Sequence, residues 1–301
     1  MLRAFFTLFA AVALVGCDLS EESFEPQVVV EGFLIAGETL PAIRLSETTP
    51  IEEGFVFEDQ AIRDAEVRIT MTTGDEEEVY DLVEDANFPG NYIHPLFDPA
   101  PRVVPGARYR LEARLPGRPD LLAPDEVVRA ETVVPGLLSV VRPPPDTVRY
   151  NVLTPGPAID VALSSEPDRQ SVFIFTVTAL EPESYDLTPT LADLLENSDA
   201  DPADFVDSAS PILNEDNYDR NEDGTLRIRV PWLAIAYYGP NLFVANALDD
   251  AVYDYLRSRD AQFNPTTLSP GEIQRVLSNV ENGVGVFGSL ARASVEVFIE
   301  E

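Results

Sequence analysis

The sequence predicts a mainly β protein of two β-rich domains: an N-terminal immunoglobulin- or transthyretin-like sandwich and a second β domain carrying two short helices. Three observations predict it. Short apolar runs alternate with period two, so one face of each is apolar. Gly, Pro, Asn and Asp clusters separate the runs at the spacing of sandwich turns. A proline-rich break, Arg142-Pro143-Pro144-Pro145, then interrupts the pattern near mid-chain.

The first run is Val28 to Leu34 and the second is Ala42 to Leu45. Ala65 to Met71 alternates cleanly, placing Val67, Ile69 and Met71 on one face, and Thr73-Gly74-Asp75 turns the chain into Glu78 to Leu82. Pro89-Gly90-Asn91-Tyr92 and Val104-Pro105-Gly106 are further turns, the latter feeding Tyr109 to Leu115, and a strand from Glu126 to Val133 closes the set. About seven strands over 28–134 fit one sandwich. Residues 135–146 read as a stiff linker, with the second domain at 147–301. There the strands are Ala158 to Leu163, Ser171 to Ala179, Leu226 to Trp232, Asn241 to Ala247 and Ala293 to Ile299. An acidic, poorly periodic insertion occupies 181–223, with a short helix at Leu191 to Glu196. Outside the insertion, the first of the domain's two short helices is expected at Asp249 to Ser258, with Ala251, Tyr255 and Leu256 on one side. Ser269-Pro270-Gly271-Glu272 opens the other, to about Val280, because Ser is a favoured cap and Pro is favoured at the first helical position.

The leader says where the chain goes. Arg3 precedes an apolar run, Ala4 to Val15, that ends in Leu14-Val15-Gly16-Cys17. About 20 apolar residues are needed to span a bilayer, and this run is shorter, so it reads as a signal peptide, 1–16. Cys17 is the only cysteine; it resembles a lipobox cysteine that is acylated and ties the mature protein to a membrane, with 17–27 as tether. Without another cysteine no internal disulfide can form.

Charge excludes some functions. Fifty-three acidic residues face 20 basic ones, every basic residue is Arg, and the formal charge is −33. Such a chain repels nucleic acid and anionic surfaces. At 45% hydrophobic residues the composition is that of a globular protein. Self-repulsion of the carboxylates is relieved by salt, whose screening length falls to about 3 Å at 1 M, so a halophilic or salt-exposed setting is expected.

Further along, the order of Val29-Val30-Glu31-Gly32-Phe33, Ile43 to Thr48, Ala65-Glu66-Val67, Pro89 to Tyr92, Pro105 to Tyr109, Tyr253 to Leu256 and Ser278 to Ser289 resembles the Bacteroidota lipoprotein family catalogued as domain of unknown function 4249. The resemblance implies an envelope location and association with outer-membrane transporters of the TonB-dependent type, and it brings no assigned catalytic residues.

Candidate sites are few. Gly283-Val284-Gly285-Val286-Phe287-Gly288 has dinucleotide-fingerprint spacing but lies before the last strand and opens no helix, so tight turning with Phe287 in the core is expected instead. Asp219, Asn221, Asp223 and Gly224 match the first half of a calcium loop, yet the twelfth position is Val230 rather than Glu; the competing reading is a plain turn. His94 is the only histidine, too little for zinc, and no Gly-x-Ser-x-Gly elbow exists. The expected role is therefore non-catalytic binding or accessory work at the outer membrane. A hydrolase on polysaccharide or peptide and a calcium-dependent adhesin remain the alternatives.

Overall fold

The computed structural model describes residues 24–50, 52–96, 99–162, 172–196, 198–263 and 275–301. Strands dominate it, as the alternation predicts. Seven of them fill the first half: β1 (Val28–Ile35), β2 (Ile43–Glu47), β3 (Glu66–Thr73), β4 (Glu76–Glu84), β5 (Asn91–Ile93), β6 (Arg108–Arg114) and β7 (Val128–Val133), with one helical turn, α1 (Phe57–Gln60), between β2 and β3. The β3–β4 hairpin closes at Thr73 and Glu76 around Gly74, whose φ of +60° is open to glycine at no steric cost. Val67, Ile69, Tyr80 and Leu82 are buried, whereas the opposite face carries cross-strand charge pairs such as Arg68–Asp81 at 2.7 Å.

Two tyrosines lock this half. Tyr92 is fully buried, donates its hydroxyl proton to the Ile62 carbonyl and accepts from the Ala65 N–H, both at 2.9 Å; burial pushes its pKa up to about 12. The Tyr109 hydroxyl accepts from the Val104 N–H at 2.8 Å.

The second half contains β8 (Ser139–Arg142), β9 (Thr147–Arg149), β10 (Ala158–Ala162), β11 (Val172–Ala179), α2 (Pro189–Leu195), β12 (Asp207–Ala209), β13 (Leu213–Asn214), β14 (Leu226–Arg229), β15 (Gly239–Leu248), α3 (Asp250–Phe263), β16 (Val280–Glu281) and β17 (Val284–Glu300). Three sequence expectations shift. The strand expected to reach Trp232 stops at Arg229, because Pro231 offers no N–H to a ladder and Trp232 opens a 3-10 turn. On α3 the buried apolar residue is Val252, while Ala251, Tyr255 and Leu256 are half-buried. The helix expected from Ser269 lies mostly outside the described residues; its expected end, Val280, is in β16. Within 135–146, β8 forms, and within 181–223 the chain makes α2, β12, β13 and two 3-10 turns.

Seventeen residues long, β17 organises the whole. Its first half pairs in parallel with β1, from Val284 to Leu290, and its second half pairs antiparallel with β15, from Leu290 to Ile299. The main sheet runs β12-β11-β15-β17-β1-β2-β5-β4-β3-β6-β7-β16. Since β16 and β17 are joined through Asn282-Gly283 yet sit far apart on that path, the sheet curls back on itself, bringing β7 over β17. The larger of two apolar clusters among the described residues results, the smaller being Ala179, Leu191, Ala236 and Tyr237. The larger holds Val30, Tyr109 and Phe287 together with Phe173, Phe243 and Val297.

Candidate functional site

Apart from the main sheet, β14, β10 and β8 form a sheet of three strands. Asp160 stands on the central strand, opposite Arg227 of β14 and opposite Arg142 of β8. Pairing register thus delivers one guanidinium to each side of a carboxylate that is 2% exposed. Arg227 donates from Nε to Oδ1 and from Nη2 to Oδ2, both at 2.9 Å, a two-point grip that suits a planar fork. Arg142 donates from Nε to Oδ2 at 2.6 Å. Hydrogen bonds from Arg227, reinforced by Arg142 and Asn221, outweigh desolvation and hold the Asp160 carboxyl far below the usual carboxylate range.

Arg142 extends this network to the loop that resembles a calcium site. Its Nη1 donates to Asp223 Oδ2 at 2.9 Å and its Nη2 to Thr225 Oγ1 at 3.1 Å. The Thr225 amide and hydroxyl donate to Asp223 Oδ1, Asn221 Nδ2 donates to Thr225 Oγ1, and the Gly224 amide, at φ +82°, donates to the Asn221 carbonyl at 2.9 Å. Asp219 supplies its main-chain carbonyl to the Arg227 amide at 3.0 Å. Asn221 and Asp223 are therefore brought together, while Asp219 joins through its backbone. Both Asp223 oxygens already have donors, so a calcium ion there would compete with Arg142 and Thr225 for them. Among the described residues no cluster of three His, Cys, Asp or Glu side chains is arranged to hold a metal.

Beside the network lies a cleft of about 590 Å³ walled by Pro143, Pro145, Arg149, Thr154, Trp232 and Arg227. Trp232 is fixed by its indole N–H, which donates to the Thr154 carbonyl at 2.8 Å, and by the Tyr150 ring, edge-on at 4.9 Å. Gly156 lets the loop close: a Cβ there would sit 1.9 Å from the Val230 carbonyl oxygen.

The remaining candidates fall elsewhere. His94 packs edge-on against Tyr80 at 5.7 Å and accepts the Leu96 N–H at Nδ1, 3.2 Å away. Gly285, at φ +111°, and Gly288 are inside β17, where a Cβ would meet the Val30 carbonyl oxygen at 2.1 Å and Val252 at 2.4 Å respectively. Phe287 is fully buried. Asn279 accepts the Phe287 amide and donates to the Phe287 and Glu131 carbonyls. This block is a strand splice, and no helix follows it to receive a phosphate. Cys17 lies outside the described residues. No described helix is long and apolar enough to cross a membrane.

Sequence reasoning passed over Asp160, Arg142, Arg227 and Trp232. One signal was present: an acid alone in the apolar strand Ala158-Ile159-Asp160-Val161-Ala162, which burial permits only if it is paired.

Solved structures resemble the chain only distantly. A Salmonella alpha-2-macroglobulin reacted with methylamine is 9% identical at a TM-score of 0.22, with 91% of this chain and 15% of that one covered. Three N-terminal domains of the bacteriophage RB49 Highly Immunogenic Outer Capsid protein are 9% identical at 0.18, covering 89% and 70%. A protocadherin gammaB7 cis-dimer fragment is 12% identical at 0.19, covering 92% and 51%. Likeness this slight carries no argument. No curated protein matches the chain. The motif order, the glycine-rich splice and a family match over residues 16–296 agree, and the chain belongs to the family described as domain of unknown function DUF4249.

Proposed function

We propose that this chain is a Bacteroidota envelope lipoprotein, acylated at Cys17, that acts as a non-catalytic binding or accessory component of an outer-membrane TonB-dependent transporter. The observation that carries the reading is the charge state of the cleft wall. Asp160 and Asp223 are both held well below the usual carboxylate range by arginine partners, and Arg142 and Arg227 are raised by the same pairs. A general acid or base works best with a pKa near the operating pH; these groups keep one protonation state across neutral pH, which favours recognition over proton transfer. The excess of acid, −33 overall, supports a salt-rich surrounding.

Crosslinking in intact cells followed by membrane extraction is the test. Recovery of an outer-membrane transporter with the wild type, and its loss together with membrane attachment in Cys17→Ser, is the expected result. Turnover of a glycan or peptide that disappears in Asp160→Asn, with no envelope protein recovered, would establish the hydrolase reading instead.

A further inference from the structure

We propose that the end of the molecule at which β1 begins is an apolar tip that dips into the lipid bilayer beside the acylated Cys17, a contact that rests on the lipoprotein reading above. Pairing register assembles the tip from three segments. β1 and β2 pair as far as Val28 opposite Glu47, and the Gln27 carbonyl accepts the Thr48 amide at 3.0 Å, so the chain entering at Phe24 and the loop leaving β2 start side by side. On the other edge of β2, the Leu45 amide donates to the Gly90 carbonyl and Ala61 bridges to Ser46, so the turn between β4 and β5 reaches the same end. Standing out from these segments are Phe24, Phe55, Val56 and Phe88, all between 47% and 64% exposed.

The distribution of aromatic rings is the first argument. Five phenylalanines are exposed among the described residues, Phe24, Phe33, Phe55, Phe88 and Phe298, and three of them stand at this end. Grouped apolar side chains facing water mark a surface that something else covers. The tether says what covers it. Seven residues lead from Cys17 to Phe24, and seven residues span at most about 25 Å, so an acyl group on Cys17 keeps Phe24 close to the bilayer. At that range the rings meet lipid as an intramolecular event, for which a weak intrinsic affinity is enough.

Charge selects the lipid and the force. Glu25, Glu52, Glu53, Glu58 and Asp59 flank the rings in sequence. Of the arginines nearby, Arg44 is paired with Glu31 and Arg118 with Glu47 and Asp120, and Arg63 adds one positive charge. Such a tip is repelled by anionic headgroups and compatible with zwitterionic ones. Its contact is apolar burial, with the carboxylates left in the hydrated headgroup layer, so salt leaves it in place where a basic patch would let go. Strand β17 fixes what lies away from the membrane. It starts beside β1, at Val284 opposite Val29, and ends beside β9, at Phe298 to Glu300, about 45 Å further along the strand. Leu153, just beyond β9 and fully exposed to solvent, belongs to that far end.

The single cysteine lets the tip be tested apart from the natural modification. Mature protein is coupled through the Cys17 thiol to a maleimide phospholipid in phosphatidylcholine vesicles, with and without brominated acyl chains. Emission of Phe55→Trp is compared with that of Leu153→Trp and of the wild type, whose only tryptophan is Trp232. Phe55→Trp is expected to shift to the blue and to be quenched by the brominated lipid, alike in low and molar sodium chloride, while Leu153→Trp and Trp232 are spared. Adding Phe24→Ser and Phe88→Ser to Phe55→Trp should lower the quenching at least about twofold. Equal quenching of Phe55→Trp and Leu153→Trp, no quenching of either, loss of quenching in salt, or stronger quenching in phosphatidylglycerol vesicles would each overturn the tip. An envelope protein crosslinked by wild type and lost in Phe55→Ser, with lipid quenching absent, would assign the patch to a protein partner instead. Mass spectrometry of the native protein separates the two readings: no acyl group on Cys17 overturns the anchor and with it the contact in cells, whereas an acylated Cys17 with unquenched Phe55→Trp overturns the tip alone.

Discussion

At the scale of single residues, Asp160 shows how a charge survives inside a β protein. Burial alone would raise its pKa and neutralise it; two hydrogen-bonded guanidiniums reverse the sign. Arg142 and Arg227 keep their heads half-exposed, at 50% and 41%, so they give up less hydration than fully buried partners would. Truncation to Asp160→Ala removes the acceptor and leaves two like charges facing each other. The expected loss is about 2 kcal/mol at pH 7, read by urea unfolding. Because the folded-state pKa is depressed, this stability is present above the unfolded value of about 4 and fades as pH falls below it toward the folded pKa. The gap between wild type and Asp160→Ala should thus be constant from pH 7 to about 5 and narrow below about 4; a gap that widens in acid would contradict the pairing. Legibility was partial here. The lone acid in an apolar strand was visible, but its partners lie 18 and 67 positions away in sequence, a separation that only strand register resolves.

At the scale of elements, β17 explains why the glycine-rich block is spaced as it is. Gly285 must pass Val30 so closely that a Cβ would lie 2.1 Å from its carbonyl oxygen, at a φ of +111°. Gly74, at φ +60°, has no atom within 4 Å of such a Cβ. Both positions strain an alanine, and only the first also clashes with backbone. Gly285→Ala is expected to cost about 3 kcal/mol and Gly74→Ala about 1 kcal/mol, measured as a difference in unfolding midpoints. Equal costs would mean that the β1–β17 approach is looser than it looks. Asp249 marks the same junction: its Oδ1 accepts the Val252 amide at 2.8 Å at the start of α3, and its Oδ2 accepts from Thr132 of β7, which also meets Ser289 of β17 at 2.6 Å.

For the whole molecule, the shared strand and the shared core predict how it unfolds. Phe287 and Phe243 belong to one apolar cluster, and neither half of β17 can detach without exposing it. Calorimetry of the mature protein should show a single transition with calorimetric and van't Hoff enthalpies in agreement; two resolved transitions would show that the halves are independent. Net charge acts on the same transition. Carboxylates outnumber arginines 53 to 20, so screening relieves repulsion in the folded state more than in the expanded one. The melting temperature should rise by several degrees between low and molar salt, alike in sodium and potassium chloride. A flat response would remove the basis for the salt-rich setting.

Alternation by itself determined the mainly β class and the inward faces of the strands, since a period of two puts Val67, Ile69, Tyr109 and Leu111 on buried faces wherever the sheet lies. It also determined the sign of the surface and the structural character of the Gly283 to Gly288 block. Tertiary structure alone decided that β17 joins β1 to β15, that Ser139 to Arg142 pairs as a strand, and that Asp223 faces Arg142. Each of these is a choice of partner between segments distant in sequence. Local residues set which backbone can pair, whereas the curl of one continuous sheet over a common core sets what it pairs with.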